Sequence, residues 1–242
     1  MSIAEKLTTI AENQERVFEA GKKSQYDEFW DRYQENGTRT NYQFAFGGRG
    51  WKKTNLKPKY DVKPVIAANM FAETDPIRWG STQPDELIDL YELEQEQGIV
   101  FDFTNCTNIH SCFRYCAIKR INTINIANAR DLTYIFFSAL YLERIEHLIL
   151  HGLNYWVGSR PFDGMNRITY IGFEGQIDGN NWNLSQCTKL EKQCLIAFMN
   201  CLVDKTTDTS GTNWAITFGA TNLAKLTDTE KAIATEKGWT LA

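Results

Sequence analysis

The sequence predicts an α/β repeat protein: a short leucine-rich-repeat solenoid over residues 98–186, with a long helix in front of it and a helix-containing cap behind it. Three observations point there. Apolar residues recur at offsets of 0, 3, 6 and 9 in three successive stretches; the stretches start at the nearly even steps Cys112, Phe136 and Phe162; and each is followed by a short run of alternating apolar residues. The sets are Cys112, Tyr115, Ile118 and Ile121, then Phe136, Ala139, Leu142 and Ile145, then Phe162, Met165, Ile168 and Ile171. Their strands are expected at Ile124 and Ile126, at Leu148 and Leu150, and at Phe173, with Phe101 and Phe103 opening the array. A repeating unit buries only half a core and needs its neighbours to cover the rest, so inward positions repeat while outward ones are free to vary.

Residues 1–36 read as one helix. Ser2 and Glu5 make a start signal of the capping-box type, and Asn36-Gly37 a stop. Ile3, Leu7, Ile10, Gln14 and Val17 follow steps of four and three, the spacing of a narrow coiled-coil seam, which makes them candidate oligomerisation residues. Tyr26, Phe29, Trp30 and Tyr33 continue as an aromatic patch suited to the body of the protein. At 1.5 Å per residue such a helix is roughly 50 Å long, more than a small domain needs. The same stripe is equally compatible with packing on its own domain.

Residues 37–97 read as an irregular connector holding one short acidic helix. The connector is rich in Gly, Asn and aromatic residues around Phe44 to Trp51. Gly47-x-x-Gly50 lacks the third glycine, the flanking strand and helix, and the Gly-Lys-Ser/Thr of a phosphate loop, so nucleotide binding is not expected. The helix is expected over Pro84 to Gln97, with Leu87, Ile88, Leu90 and Tyr91 inward and Gly98 as its stop.

The cap, residues 187–242, is expected to hold a helix from a Thr188–Glu191 capping box to about Leu202. Its inner stripe is the row Cys187, Cys194 and Cys201 with Leu190 and Phe198. A strand over Trp214 to Phe218 follows, then a second boxed helix from Thr227 to Gly238, and finally Trp239-Thr240-Leu241. Terminal repeats depart from the pattern because they shield an open end.

With these residues in hand, the chain resembles the BspA-like leucine-rich repeat proteins, in the short form encoded by prophages of gut Firmicutes. The likeness rests on Phe-x-x-Met-x-x-Ile-x-x-Ile from Phe162 and its two siblings, on the tail Leu-Thr-x-x-Glu-x-x-Ile-Ala-x-x-Lys-Gly-Trp-Thr-Leu from Leu226, and on the connector from Thr40-Asn41-Tyr42 through Lys57-Pro58-Lys59-Tyr60-Asp61. It departs from the pattern at Cys112, where phenylalanine is usual. The resemblance implies a right-handed solenoid with its strands on one face, no catalytic residues, no cofactor, and a place on a phage particle or tail-like structure reached after lysis.

Composition narrows the function classes. The chain of 242 residues carries 26 basic and 30 acidic side chains, a formal charge of −4, which offers nucleic acid no overall attraction. Charge is uneven: Arg39, Arg49, Lys52, Lys53, Lys57, Lys59 and Lys63 against Asp61 give the segment Gly37 to Pro64 a balance of +6 and leave −10 for the rest. That segment reads as a solvated loop or a strip for acidic surface. No apolar run reaches the roughly 20 residues of a membrane span. Glu5, Lys6, Glu12, Glu15 and Arg16 interrupt any secretory signal, so synthesis in the cytoplasm is expected.

Six cysteines without an export signal are expected as reduced core thiols. Cys106, His110, Cys112 and Cys116 lack C-x2-C spacing and a second ligand group, so no metal is assigned. His147 and His151 are expected on the outer side of one strand, solvated. Asp178 to Lys189 places Trp182 and Lys189 where a calcium loop requires oxygen ligands, so calcium is not expected there. Neither a Gly-x-Ser-x-Gly elbow nor a His-Glu-x-x-His helix is present.

The expected function is therefore non-catalytic: a structural or adhesion module presenting a solenoid surface to a host protein or glycan, with self-association through the N-terminal helix. The alternative is a monomeric intracellular protein–protein interaction module. Tyr155, Trp156 and Arg160, beside the short insertion of the third repeat, and Trp182 are the candidate ligand-binding residues, since aromatic and Arg side chains give large contact area and fixed donors. The favoured alternative is that Trp156 and Trp182 plug the solenoid's ends and loops, because most of the seven tryptophans must be buried.

Overall fold

A computed structural model of the chain describes residues 39–43, 45–47, 56, 58, 60–74, 86–126, 128–129, 131–151, 161–180 and 182–242. Its main sheet is parallel, in the order β1 (Ile88–Asp89), β2 (Ile118–Asn125), β3 (Arg144–Leu150) and β4 (Tyr170–Gly175). Ile121 stands opposite Ile145 and Ile145 opposite Ile171, all buried. One position earlier, Arg120, Arg144 and Tyr170 form the matching outer row. The strands take in the last apolar residues of each set rather than starting after them. Gly172 is required where the register of β3 and β4 shifts between Ile145 and Leu148, because a Cβ there would stand 2.0 Å from the Glu146 carbonyl oxygen.

Opposite the sheet, the core is organised by an aromatic column. Phe71 stacks on Phe113, Phe113 on Phe136 and Phe136 on Phe162, with centroids 5.5 to 5.7 Å apart and planes within 21°. Phe46 extends it at one end, 4.9 Å from Phe71, and Trp182 at the other, 5.8 Å from Phe162. The backbone follows the same register: the amides of Phe46, Phe71, Phe113 and Phe136 donate to the carbonyls of Met70, Cys112, Ile135 and Pro161. On either side of each ring the chain turns through the left-handed region, at Asn69, Ser111 and Tyr134 before it and at Glu73, Tyr115, Ser138 and Gly164 after it. All but Gly164 carry a side chain, and each such residue costs about 1 kcal/mol. Tight turns around a ring hydrogen-bonded to the next level hold them there.

This geometry corrects the alignment of the first set. Phe113, not Cys112, occupies the phenylalanine position, and Tyr115 is half-exposed rather than inward. Cys112 is buried beside it. The stretch expected to be an irregular connector also joins the ladder. The Tyr42 amide donates to Ile66 and the Ala67 amide to Asn108, and parallel bridges link Asn41 to Ile66 and Ile66 to Asn108.

The acidic helix is shorter than expected. Ile88 and Asp89 pair with β2, the Ile88 amide donating to the Ala117 carbonyl at 2.9 Å, so α1 runs only over Leu90–Gln97. Asp89 caps it by accepting from the Glu92 amide at 3.0 Å, and Gly98 ends it at φ 66°. Leu90 and Leu93 face inward, while Leu87 and Tyr91 are only half-buried.

Behind β4 the next level is a helix, α2 (Lys192–Asn200), in place of a strand. The capping box expected at Thr188 is not formed. The Glu191 backbone is extended and its amide donates to the Thr169 carbonyl at 2.9 Å, so pairing with the preceding level displaces the helix start to Lys192. Cys194 and Phe198 are buried as expected, Cys187 lies in the turn before the helix, and Cys201 is half-buried. A second parallel sheet follows, β5 (Trp182–Asn183), β6 (Ala215–Thr217) and β7 (Thr240–Leu241); between β6 and β7 the chain forms α3 (Gly219–Leu223) and α4 (Asp228–Thr235), and α4 packs against β7 and α2. The Thr227–Glu230 capping box is formed in both directions. Two lysines tie these elements to α2. Lys237 donates to the carbonyls of Met199 and Asn200 at the end of α2, where a cation is favoured, and Lys225 to those of Thr188 and Leu190 ahead of it.

Candidate functional site

Two surfaces rise from this framework. The first is the outer face of the main sheet. Arg120 leans toward β1 and α1, its Nε 2.7 Å from the Asp89 carboxylate and its Nη2 2.7 Å from Glu92, with Tyr91 beneath it at 5.2 Å. Arg144 forms a two-pronged pair with Glu146 on its own strand, at 2.9 and 3.1 Å, and its guanidinium lies 4.3 Å from the centre of the Tyr170 ring. Glu94 accepts from the Phe101 amide and from the Asn122 side chain. His147 is exposed and its Nδ1 meets Glu174 on β4. His151 is exposed just beyond β3.

The electrostatics follow from these partners. The Asp89 carboxylate raises the pKa of Arg120, and Glu146 raises that of Arg144. The Arg144 guanidinium lowers Glu146. Glu94 moves the other way, because burial opposes its ionised form more than its two hydrogen bonds favour it. Arg120, Arg144 and His147 on this face are therefore each held beside a carboxylate, as fixed donors and acceptors. The thiols are poor nucleophiles: burial pushes Cys106 up to about 11 and Cys187 up to about 12, and Cys112 is raised well above its ordinary value by burial.

The second surface is on the turn side, where the ladder register that stacks Phe113 on Phe136 also sets Arg114 beside Phe137 and Ser111 beside Tyr134. The Arg114 guanidinium lies 5.0 Å from the Tyr115 ring centre and 5.8 Å from that of Tyr134. Phe137 meets both tyrosines edge to face, at 5.4 and 5.3 Å, and His110 meets Tyr134 at 6.2 Å. All five side chains are half-buried. Sequence reasoning missed this cluster. Its signal was present as aromatic and Arg residues between the apolar positions of the first two sets, but aligning Cys112 with Phe136 hid it.

The residues singled out from sequence fare differently. Trp182 follows the favoured alternative and not the ligand-binding one: its ring is fully buried between Phe162 and Phe198, so it completes the column and has no face for a ligand. Tyr155, Trp156, Arg160 and the insertion beside them lie outside the described residues, as do Ile3, Leu7, Ile10, Gln14 and Val17. Among the described residues no helix is long and apolar enough to cross a membrane. Compared with known proteins, the chain matches no family, no curated protein and no solved structure.

Proposed function

We propose that the chain is a non-catalytic binding module, a short right-handed leucine-rich-repeat solenoid of the BspA-like kind, whose surface engages a host protein or glycan. The observation that carries this reading is the contrast between two rows of the main sheet. The inner row repeats as Ile121, Ile145 and Ile171, while another row of the same sheet changes as Asn125, Ile149 and Glu174 in the same register. A constant interior beneath a varied exterior is what a display scaffold needs. Buried thiols of raised pKa and paired strand-face charges support a role in recognition rather than reaction.

The same reading includes synthesis in the cytoplasm, a later place on a phage particle, and self-association through the predicted N-terminal seam. It is tested by presenting the full chain to arrays of glycans and host surface proteins. Saturable retention on at least one class is the expected result, and no retention on either would overturn the reading.

A further inference from the structure

The turn-side cluster holds a cation without an anion. Among the described residues no carboxylate lies within ion-pair distance of Arg114, whereas Arg120 and Arg144 are both paired with acids. Its guanidinium contacts rings instead. The Nε of Arg114, the Oγ of Ser111 and the Oγ1 of Thr133 are buried and have no hydrogen-bond partner among the described residues. Ser111 and Thr133 are adjacent levels of the ladder, the Ser111 amide donating to the Thr133 carbonyl at 3.0 Å. Ser111 is itself fully buried. Being buried, these atoms belong to the turns beneath the cluster; the group available to a ligand is the half-buried Arg114 guanidinium among its rings, which no described carboxylate neutralises.

We propose that Arg114, Tyr115, Tyr134 and Phe137 form a subsite for a carboxylate-bearing sugar, of the uronic or sialic acid class; this rests on the binding-module reading and names the ligand chemistry for it. A single guanidinium matches a single carboxylate through two parallel N–H donors. The tyrosine and phenylalanine rings match the C–H face of a pyranose, which is apolar on one side and rich in hydroxyls at its edge. A phosphate dianion would call for further cations, and among the described residues His110 is the only other basic side chain in contact with these rings.

The test is titration of the full chain with sialyllactose, trigalacturonate, lactose and a Glu-rich peptide, read by calorimetry and by saturation-transfer NMR. Both acidic sugars should bind, with lactose weaker by about tenfold or more, and raising salt from about 50 to about 500 mM should weaken the acidic sugars alone. Arg114→Gln should lower their affinity by about tenfold or more. Tyr134→Leu should lower it without changing charge, which keeps the test intact should Arg114→Gln fail to fold. Arg167→Gln, which alters a similar contact with Tyr141 at 5.1 Å, should leave affinity unchanged. Equal binding of lactose, binding of the peptide alone, an unaffected Arg114→Gln variant or an equal loss in Arg167→Gln would overturn the proposal. If none of the four probes binds while an arrayed partner is retained, the subsite falls and the binding-module reading stands. If nothing is retained on any surface, both fall.

Discussion

The ring of Phe113 lies parallel to that of Phe136, 5.5 Å away and 15° from coplanar, although the two belong to successive levels of the ladder and are far apart along the chain. Each ring is fully buried and each stacks on a further neighbour, Phe71 on one side and Phe162 on the other. Phe136→Ala therefore opens a cavity in the middle of the column and is expected to cost about 3–5 kcal/mol in urea unfolding. Phe136→Leu, which keeps most of the volume, should cost less than half of that. Equal losses would mean that the stacking carries little.

At Gly172 the backbone of β4 passes so close to β3 that a methyl group would overlap the Glu146 carbonyl oxygen. The backbone must move to accept any side chain there. Gly172→Ala is expected to lower stability by about 2–4 kcal/mol, in the range of severe overpacking and lost strand pairing. A thermal melt unchanged from that of the parent chain would refute the bulge.

Glu94 gives the pH dependence a definite sign. Burial raises its pKa above the ordinary 4.5, so the fold favours the protonated acid. Its contribution is fully present below 4.5 and is lost as pH rises through the raised value in the folded protein. Glu94→Gln keeps the acceptor for the Phe101 amide, and Asn122 can turn its carbonyl toward the new amide. The variant should match the parent chain in melting temperature at acidic pH and exceed it at neutral pH. A difference that does not change with pH would contradict the assignment.

The seam predicted at Ile3, Leu7, Ile10, Gln14 and Val17 makes a claim about solution mass. Light scattering at micromolar concentration should give a multiple of the 27.8 kDa chain mass, and Ile10→Asp should bring it down to the single chain. A monomer at the outset removes the seam and favours the monomeric interaction module.

Much of the core was legible from periodicity alone, because Phe136 and Phe162 are separated by the same step as Ile145 and Ile171. Three kinds of residue escaped. The step from Phe46 to Phe71 nearly matches that one, but the step from Phe71 to Phe113 is much longer, since β1 and α1 intervene and break the period. Cys112 fitted the offsets and masked Phe113, because a small apolar thiol is as acceptable inside as a ring. Thr188 had the residues of a helix cap, yet the Glu191 amide was already engaged by Thr169. The turn-side cluster depends on side chains from two levels meeting, which a one-dimensional period shows only once its register is right.

The proposed role requires a surface that binds its partner and leaves it chemically unchanged. Prolonged incubation of the full chain with arrayed glycans and host surface proteins, followed by mass spectrometry of the retained partner, tests both halves at once. Saturable retention with the partner's mass unchanged is the expected result. A partner recovered cleaved or otherwise altered in proportion to time would contradict it.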